Sequence, residues 1–360
     1  MQSLFNKKYF SILVFLIQVY FGVISSCAPE AVPTGGSVQP WTFAVVSDTQ
    51  GNNKAPESHS CINDHIVHAI ADDLAREHPD LVLVSGDLVN GWLKNSDTAY
   101  PVQYQNWKKA MAAVYEAGIR VYPIRGNHDS GPERLVLPPL PAHLEPPDGA
   151  LDQLKKTFQK TFSEAYIPQN SPVGEQGLTY SFRHKNAFFV GLDQYSNGQH
   201  KVNQAWLDRQ LRNNTHPHIF IYGHEPAFEM NHKDNLSCFQ KLRDIFWDSI
   251  GQAGAVIYFC GHDHFYNRAL IPDSTGHPLR QIVVSPGGGR LRTWSGRYEE
   301  SNRVTREYHN EKFYGYILVT VEGLHATVRW KALTRPEDMY SWQFLDTFSY
   351  SLKPRVNALD

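Results

Sequence analysis

The chain has 360 residues, 41% of them hydrophobic and 19% charged, with a formal net charge of −2. This profile suits a globular protein of one large domain or two ordinary ones with a sizeable core. A charge so near zero excludes bulk attraction to nucleic acid or anionic lipid, and no nucleic-acid partner is expected. The 17 histidines are many for this length; histidine is the commonest metal ligand, but number alone proves nothing.

Residues 1–26 read as a targeting segment that stands apart from the fold. Lys7 and Lys8 supply a positive start, and Phe10 to Ile24 is nearly continuous apolar sequence. At about 15 residues that run is short of the about 20 needed to span a bilayer. It ends Ile24-Ser25-Ser26-Cys27, which resembles the bacterial lipobox, where the cysteine becomes the lipid-bearing mature N-terminus. A plain cleaved signal and an uncleaved anchor helix are the rival readings. The expectation is an exported protein, lipid-anchored through Cys27 to a bacterial envelope membrane on the periplasmic side or cell surface. Residues 27–40 read as a tether, 41–335 as the main domain and 336–360 as a C-terminal extension packed on it.

Five apolar runs then stop at polar residues. Thr42–Val46 precedes Ser-Asp48-Thr-Gln50, Asp80–Val84 precedes Ser-Gly-Asp87, and Arg120–Ile124 precedes Arg-Gly-Asn127-His128-Asp129. His218–Tyr222 precedes Gly-His224, and Ala255–Phe259 precedes Cys-Gly-His262-Asp-His264. Short, β-branched and aromatic, these runs are predicted as buried strands. Between them Ile62, Ile66, Ile70 and Leu74 recur every fourth residue within Cys61–Glu77, and Trp107, Met111 and Val114 mark a helix over Tyr104–Ala117. Gln204–Leu211 and Cys238–Ile250 are further helix candidates; alternation of strand and helix indicates an α/β fold. Phe182–Asp193, Gln281–Ser285, Tyr314–Val321 and Ala326–Lys331 add strands, some of them antiparallel. Gly131–Gly149 is proline-rich and reads as a surface insertion. Arg290–Arg306 reads as a solvated loop, with a substrate-contacting loop as the alternative. In an oxidising compartment Cys61 and Cys238 could pair, which sequence cannot decide; Cys260 reads as a small buried residue.

Ligands of open α/β sheets sit beyond the carboxyl ends of the strands, where this chain carries Asp48, Gln50, Asp87, Asn127, His128, His224, His262 and His264. Singly each has a plain alternative: Asp87 could cap a helix, Asn127 could hold a left-handed turn, His224 could be a satisfied core histidine. Five such ends in order point to a site for two divalent metals about 3.5–4 Å apart, able to polarise a phosphoryl oxygen. Carboxylate and amide oxygens with imidazole suit Mn, Fe or Zn better than Ca, and no clustered thiolates suggest structural zinc. Two such ions outweigh the charge of Asp48 and Asp87, and the positive remainder would attract phosphate.

The order Asp-x-Gln, Gly-Asp-x-x-Asn, Gly-Asn-His-Asp, Gly-His and Gly-His-x-His resembles the calcineurin-like metallophosphoesterase superfamily over about Trp41 to Trp330. The resemblance implies a four-layer α/β/β/α sandwich of two mixed sheets with ligands at the strand C-terminal ends. It implies two divalent metal ions (Mn, Fe or Zn), the first held by Asp48, Gln50, Asp87 and His264, the second by Asn127, His224 and His262, with Asp87 bridging. His128 would sit beside the phosphate and Asp129 would orient it. The implied activity is hydrolysis of a small phosphomonoester or phosphodiester by a metal-bound hydroxide, with no obligate protein partner. Two residues depart from the family pattern. Gln50 replaces the usual histidine, which makes its metal site harder, and Asn90 stands where purple acid phosphatases carry a tyrosine. The alternative is a catalytically silent surface lipoprotein that uses the same fold to bind; a cytoplasmic nuclease conflicts with the targeting segment and the neutral charge.

Overall fold

A computed structural model describes residues 39–51, 61–91, 100–131, 150–335 and 341–354. The targeting segment, Cys27, all but the end of the tether and nearly all of the proline-rich 131–149 stretch lie outside the described residues. Among the described residues no helix is long and apolar enough to cross a membrane.

The elements in chain order are β1 (Trp41–Val46), α1 (Asp64–Glu77), β2 (Leu81–Ser85), α2 (Tyr100–Ala110), α3 (Ala112–Glu116), β3 (Arg120–Ile124), α4 (Asn127–Ser130) and α5 (Ala150–Thr161). There follow β4 (Tyr180–His184), β5 (Ala187–Gly191), α6 (Gln204–Arg212), β6 (His218–Tyr222), α7 (Gln240–Gln252), β7 (Ile257–Cys260), β8 (Tyr266–Leu270) and β9 (Arg280–Val283). The chain closes with β10 (Thr305–Asn310), β11 (Tyr314–Glu322), β12 (His325–Arg335) and β13 (Ser341–Ser351). One sheet has the order β13-β12-β11-β1-β2-β3 and the other β10-β8-β9-β7-β6-β5-β4. Both are mixed: β1, β2 and β3 run parallel in the first and β5, β6, β7 and β9 in the second, with antiparallel strands toward the margins.

Period-two alternation splits each central strand between two cores. Phe43 and Val45 of β1 meet Phe220 and Tyr222 of β6 in the core between the sheets. Ala44 and Val46 face the other way, onto Ile66, Ile70 and Leu74 of α1, Trp107 of α2 and Phe158 of α5. Ile219 and Ile221 of β6 likewise pack under Trp206 of α6 and Phe246 and Trp247 of α7. Helices thus cover both outer faces, and the four-layer α/β/β/α arrangement follows from strands that are apolar on both sides.

The structure refines several predicted elements. The helix expected over 61–77 starts at Asp64, because Ile62 is used in a bridge to Gln50. That expected over 104–117 is two helices, with Met111 between them in a non-helical conformation. Phe182–Asp193 contains a hairpin, not one strand: β4 and β5 turn at Lys185, whose φ of 49° is left-handed without glycine's help. Ser341–Ser351 is not an extension lying on the domain but the edge strand of the first sheet, paired along β12. Its Asp346 accepts from Arg268 of β8 at 2.8 and 3.0 Å and from the Tyr266 hydroxyl at 2.7 Å, a buried tie between the two sheets. Cys61 is buried and Cys238 exposed, and they form no disulfide with each other.

Phe43 is fully buried, with ring centroids 4.6 Å from Phe220 and 5.1 Å from Phe189. Phe43→Ala should cost about 3–5 kcal/mol of unfolding free energy, read as a lower urea midpoint at unchanged denaturant slope.

Candidate metal centre

Asp48 and Gln50 follow β1, Asp87 follows β2, Asn127 opens α4 after β3, His224 follows β6, and His262 and His264 follow β7. Four of these residues adopt left-handed backbone: Asp48 (φ 51°), Asp87 (54°), His262 (73°) and His264 (58°). Each such residue costs about 1–3 kcal/mol, and clusters of them mark functional sites. A mesh between the loops holds them there. Asp48 N donates to Gly86 O at 3.1 Å and Thr49 N to Asp87 O at 2.9 Å. His262 N donates to both Asp48 carboxylate oxygens at 3.0 and 3.1 Å, and Gly261 N to His224 O at 2.8 Å.

The side chains form two groups that share Asp87. Asp48, Asp87 and His264 each offer a ligand atom within 4.8 Å of the others. Gln50 Nε2 lies 2.9 Å from Asp87 Oδ2 and 3.1 Å from His264 Nε2. On the other side Asp87 Oδ2 is 3.4 Å from His224 Nε2. Asn127 Oδ1 is 3.1 Å from both His224 Nε2 and His262 Nδ1. The structure therefore brings together all seven side chains that the sequence singled out as ligands.

The rings are aimed by their outer nitrogens. His224 Nδ1 is 2.8 Å from Ser85 O and His264 Nδ1 is 2.8 Å from Arg290 O, so each donates there and turns Nε2 inward. His262 is reversed: Nδ1 faces Asn127 and Nε2 lies 3.5 Å from Asp234 Oδ1. Imidazole backed by a carbonyl or carboxylate is the usual support of a metal ligand.

Charge demands a cation here. Asp48 and Asp87 are both essentially fully buried. Burial opposes the charge on Asp87, yet His224, His128 and His262 hold its carboxyl far below the usual range. Burial also opposes a proton on His224, but the Asp87 carboxylate outweighs it and lifts the imidazole to about 10. Gln50 Oε1 is buried without a hydrogen-bond partner, and a half-turn of that amide exchanges its oxygen with the nitrogen now facing Asp87 and His264. Two carboxylates, two amides and three imidazoles fit divalent ions of the Mn, Fe or Zn kind. Cys260 takes no part: its thiol is pushed up by burial and points to Ile282 O at 3.5 Å.

One expectation changes. Asp129 does not orient His128. Its Oδ2 accepts from Gly126 N at 2.9 Å and Leu88 N at 3.1 Å, bracing the loop backbone, while His128 Nδ1 is held by Asn90 O at 2.8 Å. Burial, reinforced by Asp87, lifts the Asp129 carboxyl to about 7. The Arg290–Arg306 segment is largely exposed, as a solvated loop is, and its Arg290 carbonyl also sets His264.

Sequence reasoning missed the supports. Asp193 and Gln194 end the β5 run without carrying a ligand. Asp193 pairs with buried Arg125 at 2.8 and 3.0 Å, fixing the loop of Asn127. Gln194 Oε1 accepts from His224 N and Glu225 N, both at 2.7 Å. Gly287-Gly288-Gly289 lies against the first ligand loop, with Gly289 N donating to Asp48 O at 2.7 Å. A Cβ on Gly289 would meet His264 Cε1 at 3.0 Å and Gln50 Oε1 at 3.2 Å. Three successive glycines after a strand signal such close backbone approach; nothing in the sequence marks Gln194.

A family model described as calcineurin-like phosphoesterase matches residues 42–266. No curated protein sequence matches the chain. Among solved structures, PhoD is similar at TM-score 0.62 and 13% identity, over 89% of this chain and 71% of that one. The purple acid phosphatase PPD1 from yellow lupin (Lupinus luteus) seeds is similar at TM-score 0.61 and 15% identity, over 89% of this chain and 55% of that one. The chain thus spans little more than half the length of the lupin enzyme. GAP50, the anchor in the inner membrane complex of Plasmodium, is similar at TM-score 0.52 and 14% identity, over 87% of this chain and 89% of that one. At these identities the likeness is one of fold.

Gln194→Ala leaves two buried N–H groups without their acceptor. It should destabilise the protein by about 1–3 kcal/mol and lower metal affinity by about tenfold, read by thermal unfolding and by titration with Mn.

Proposed function

Because the chain belongs to the calcineurin-like phosphoesterase family, we propose that it hydrolyses a phosphomonoester or phosphodiester with two divalent metal ions. The observation that carries this reading is the Asp87 carboxylate, whose one oxygen lies near both Gln50 and His224 and so adjoins both ligand groups. Asp48, Gln50, Asp87 and His264 would hold one ion; Asp87, Asn127, His224 and His262 would hold the other. When bound, such ions polarise a phosphoryl oxygen and make water acidic enough to attack near neutral pH.

His128 is the proton-moving group of the protein itself. Its Nδ1 donates to Asn90 O, so any proton gained or lost is exchanged at Nε2. That atom lies 4.0 Å from Asp87 Oδ2, and the side chain is 35% exposed, open to an incoming ester. In this reading Nε2–H protonates the departing oxygen. Gly126 keeps the approach close: any Cβ there would collide with the Asp87 carboxylate. The neutral amide of Gln50 in place of imidazole favours harder ions such as Mn over Zn.

The test is a panel of phosphomonoesters and diesters crossed with Mn, Zn, Fe and Mg. Metal-dependent turnover supports the reading, and inactivity across the whole panel would favour the silent binding module. His128→Ala should cut turnover of an alkyl phosphate about 100-fold or more and that of p-nitrophenyl phosphate by less than about tenfold, because nitrophenolate leaves without a proton. Equal losses on both would remove the acid role.

We also propose that the chain is exported and held at a bacterial envelope membrane by a lipid on Cys27. Support comes from the order of Lys7 and Lys8, the apolar run and Ile24-Ser25-Ser26-Cys27. The mature N-terminus, measured by mass spectrometry, should be a diacylated cysteine. An N-terminus at any other residue sinks the proposal.

A further inference from the structure

Between β9 and β10 the chain carries no regular element, yet its first half is clamped to the metal centre. Gly287 N donates to Ser47 O at 2.7 Å and Gly289 N to Asp48 O at 2.7 Å. Arg290 O accepts from His264 Nδ1 at 2.8 Å, and Arg292 N donates to His264 O at 3.1 Å. Trp294 pins the next turn. Its backbone N donates to Glu311 Oε2 at 2.9 Å and its indole to Met230 O at 3.1 Å. Its ring lies 4.8 Å from His309 and 4.9 Å from Tyr298. The backbone of Arg290 and Arg292 is therefore fixed from both sides.

Their side chains are not. Arg290 and Arg292 are exposed, and among the described residues neither guanidinium has a hydrogen bond or ion pair. Of the other nearby arginines, Arg268 pairs with Asp346, Arg280 with Glu307 and Arg303 with Asp244 and Glu300, while Arg297, farther along the loop, is exposed too.

A solvated loop explains exposed arginines in general. It does not explain two uncommitted ones on a backbone bonded to a ligand histidine at both its ring and its carbonyl. We propose that Arg292, with Arg290 beside it, forms a second anion subsite at the edge of the metal centre. The substrate would then be a phosphate ester with a second anionic group near the scissile phosphate. The fork of guanidinium donors matches a phosphate or carboxylate, and a backbone fixed in advance lowers the ordering cost of binding. The substrate class rests on the phosphoesterase reading; the subsite itself does not.

The test is calorimetric titration of the Mn-loaded full chain with methylenebisphosphonate, whose P–C–P bridge resists hydrolysis, and with orthophosphate. Arg292→Ala should lose about tenfold in affinity for the bisphosphonate and at most about threefold for orthophosphate, and Arg292→Lys should recover part of the difference. Equal losses for both anions, or none for either, overturn the subsite. A wild-type protein that hydrolyses no ester but keeps the bisphosphonate preference would instead take down the phosphoesterase reading and leave the subsite standing.

Discussion

Two carboxylates buried side by side are the constraint around which the molecule is organised. Asp48 and Asp87 have almost no solvent to stabilise their charge, and like charges in a protein interior are tolerated only with compensating cations. Imidazoles and backbone donors close around them. His264 Nε2 lies 3.5 Å from Asp48 and His224 Nε2 3.4 Å from Asp87. The backbone N–H of His262 reaches Asp48, and that of His128 reaches Asp87 at 2.9 Å. Bound cations would complete what these donors begin.

That arrangement needs both sheets. Asp48, Asp87 and Asn127 come from the ends of the first sheet's parallel strands, and His224, His262 and His264 from those of the second. The aromatic core between the sheets sets their separation, with Phe43, Phe189, Phe220 and Phe259 packed edge to face or stacked. Nearer the site, the Arg125–Asp193 pair ties the Asn127 loop of one sheet to the end of β5 in the other. Left-handed backbone at four of the ligand positions is the local cost of turning side chains from separate strands toward one point.

Parts of the fold were legible because burial on both faces leaves a strong mark. The runs at Arg120–Ile124 and His218–Tyr222 match their strands residue for residue. Edge strands leave a weaker mark. Ser341–Ser351 alternates polar and apolar residues and stays partly exposed, so it reads as an appendage until its pairing with β12 is seen. The hairpin of β4 and β5 was hidden because Lys185 takes a conformation for which the sequence offers no glycine.

At the site, the sequence by itself determined which side chains with metal-ligating atoms end the strands, since carboxylates, amides and imidazoles must follow the strands that deliver them. Tertiary structure alone decided what holds them. Asp129 stands next to His128 in the chain but braces backbone, while the carbonyl of Asn90, far away in sequence, aims the ring. Gln194 holds the His224 loop, and Arg290 holds His264, through contacts whose partners are distant in the chain. Ligand identity is written in residue type, because only certain side chains have the donor atoms. Ligand orientation is set by backbone carbonyls and amides, which every residue has, so only the folded chain selects among them.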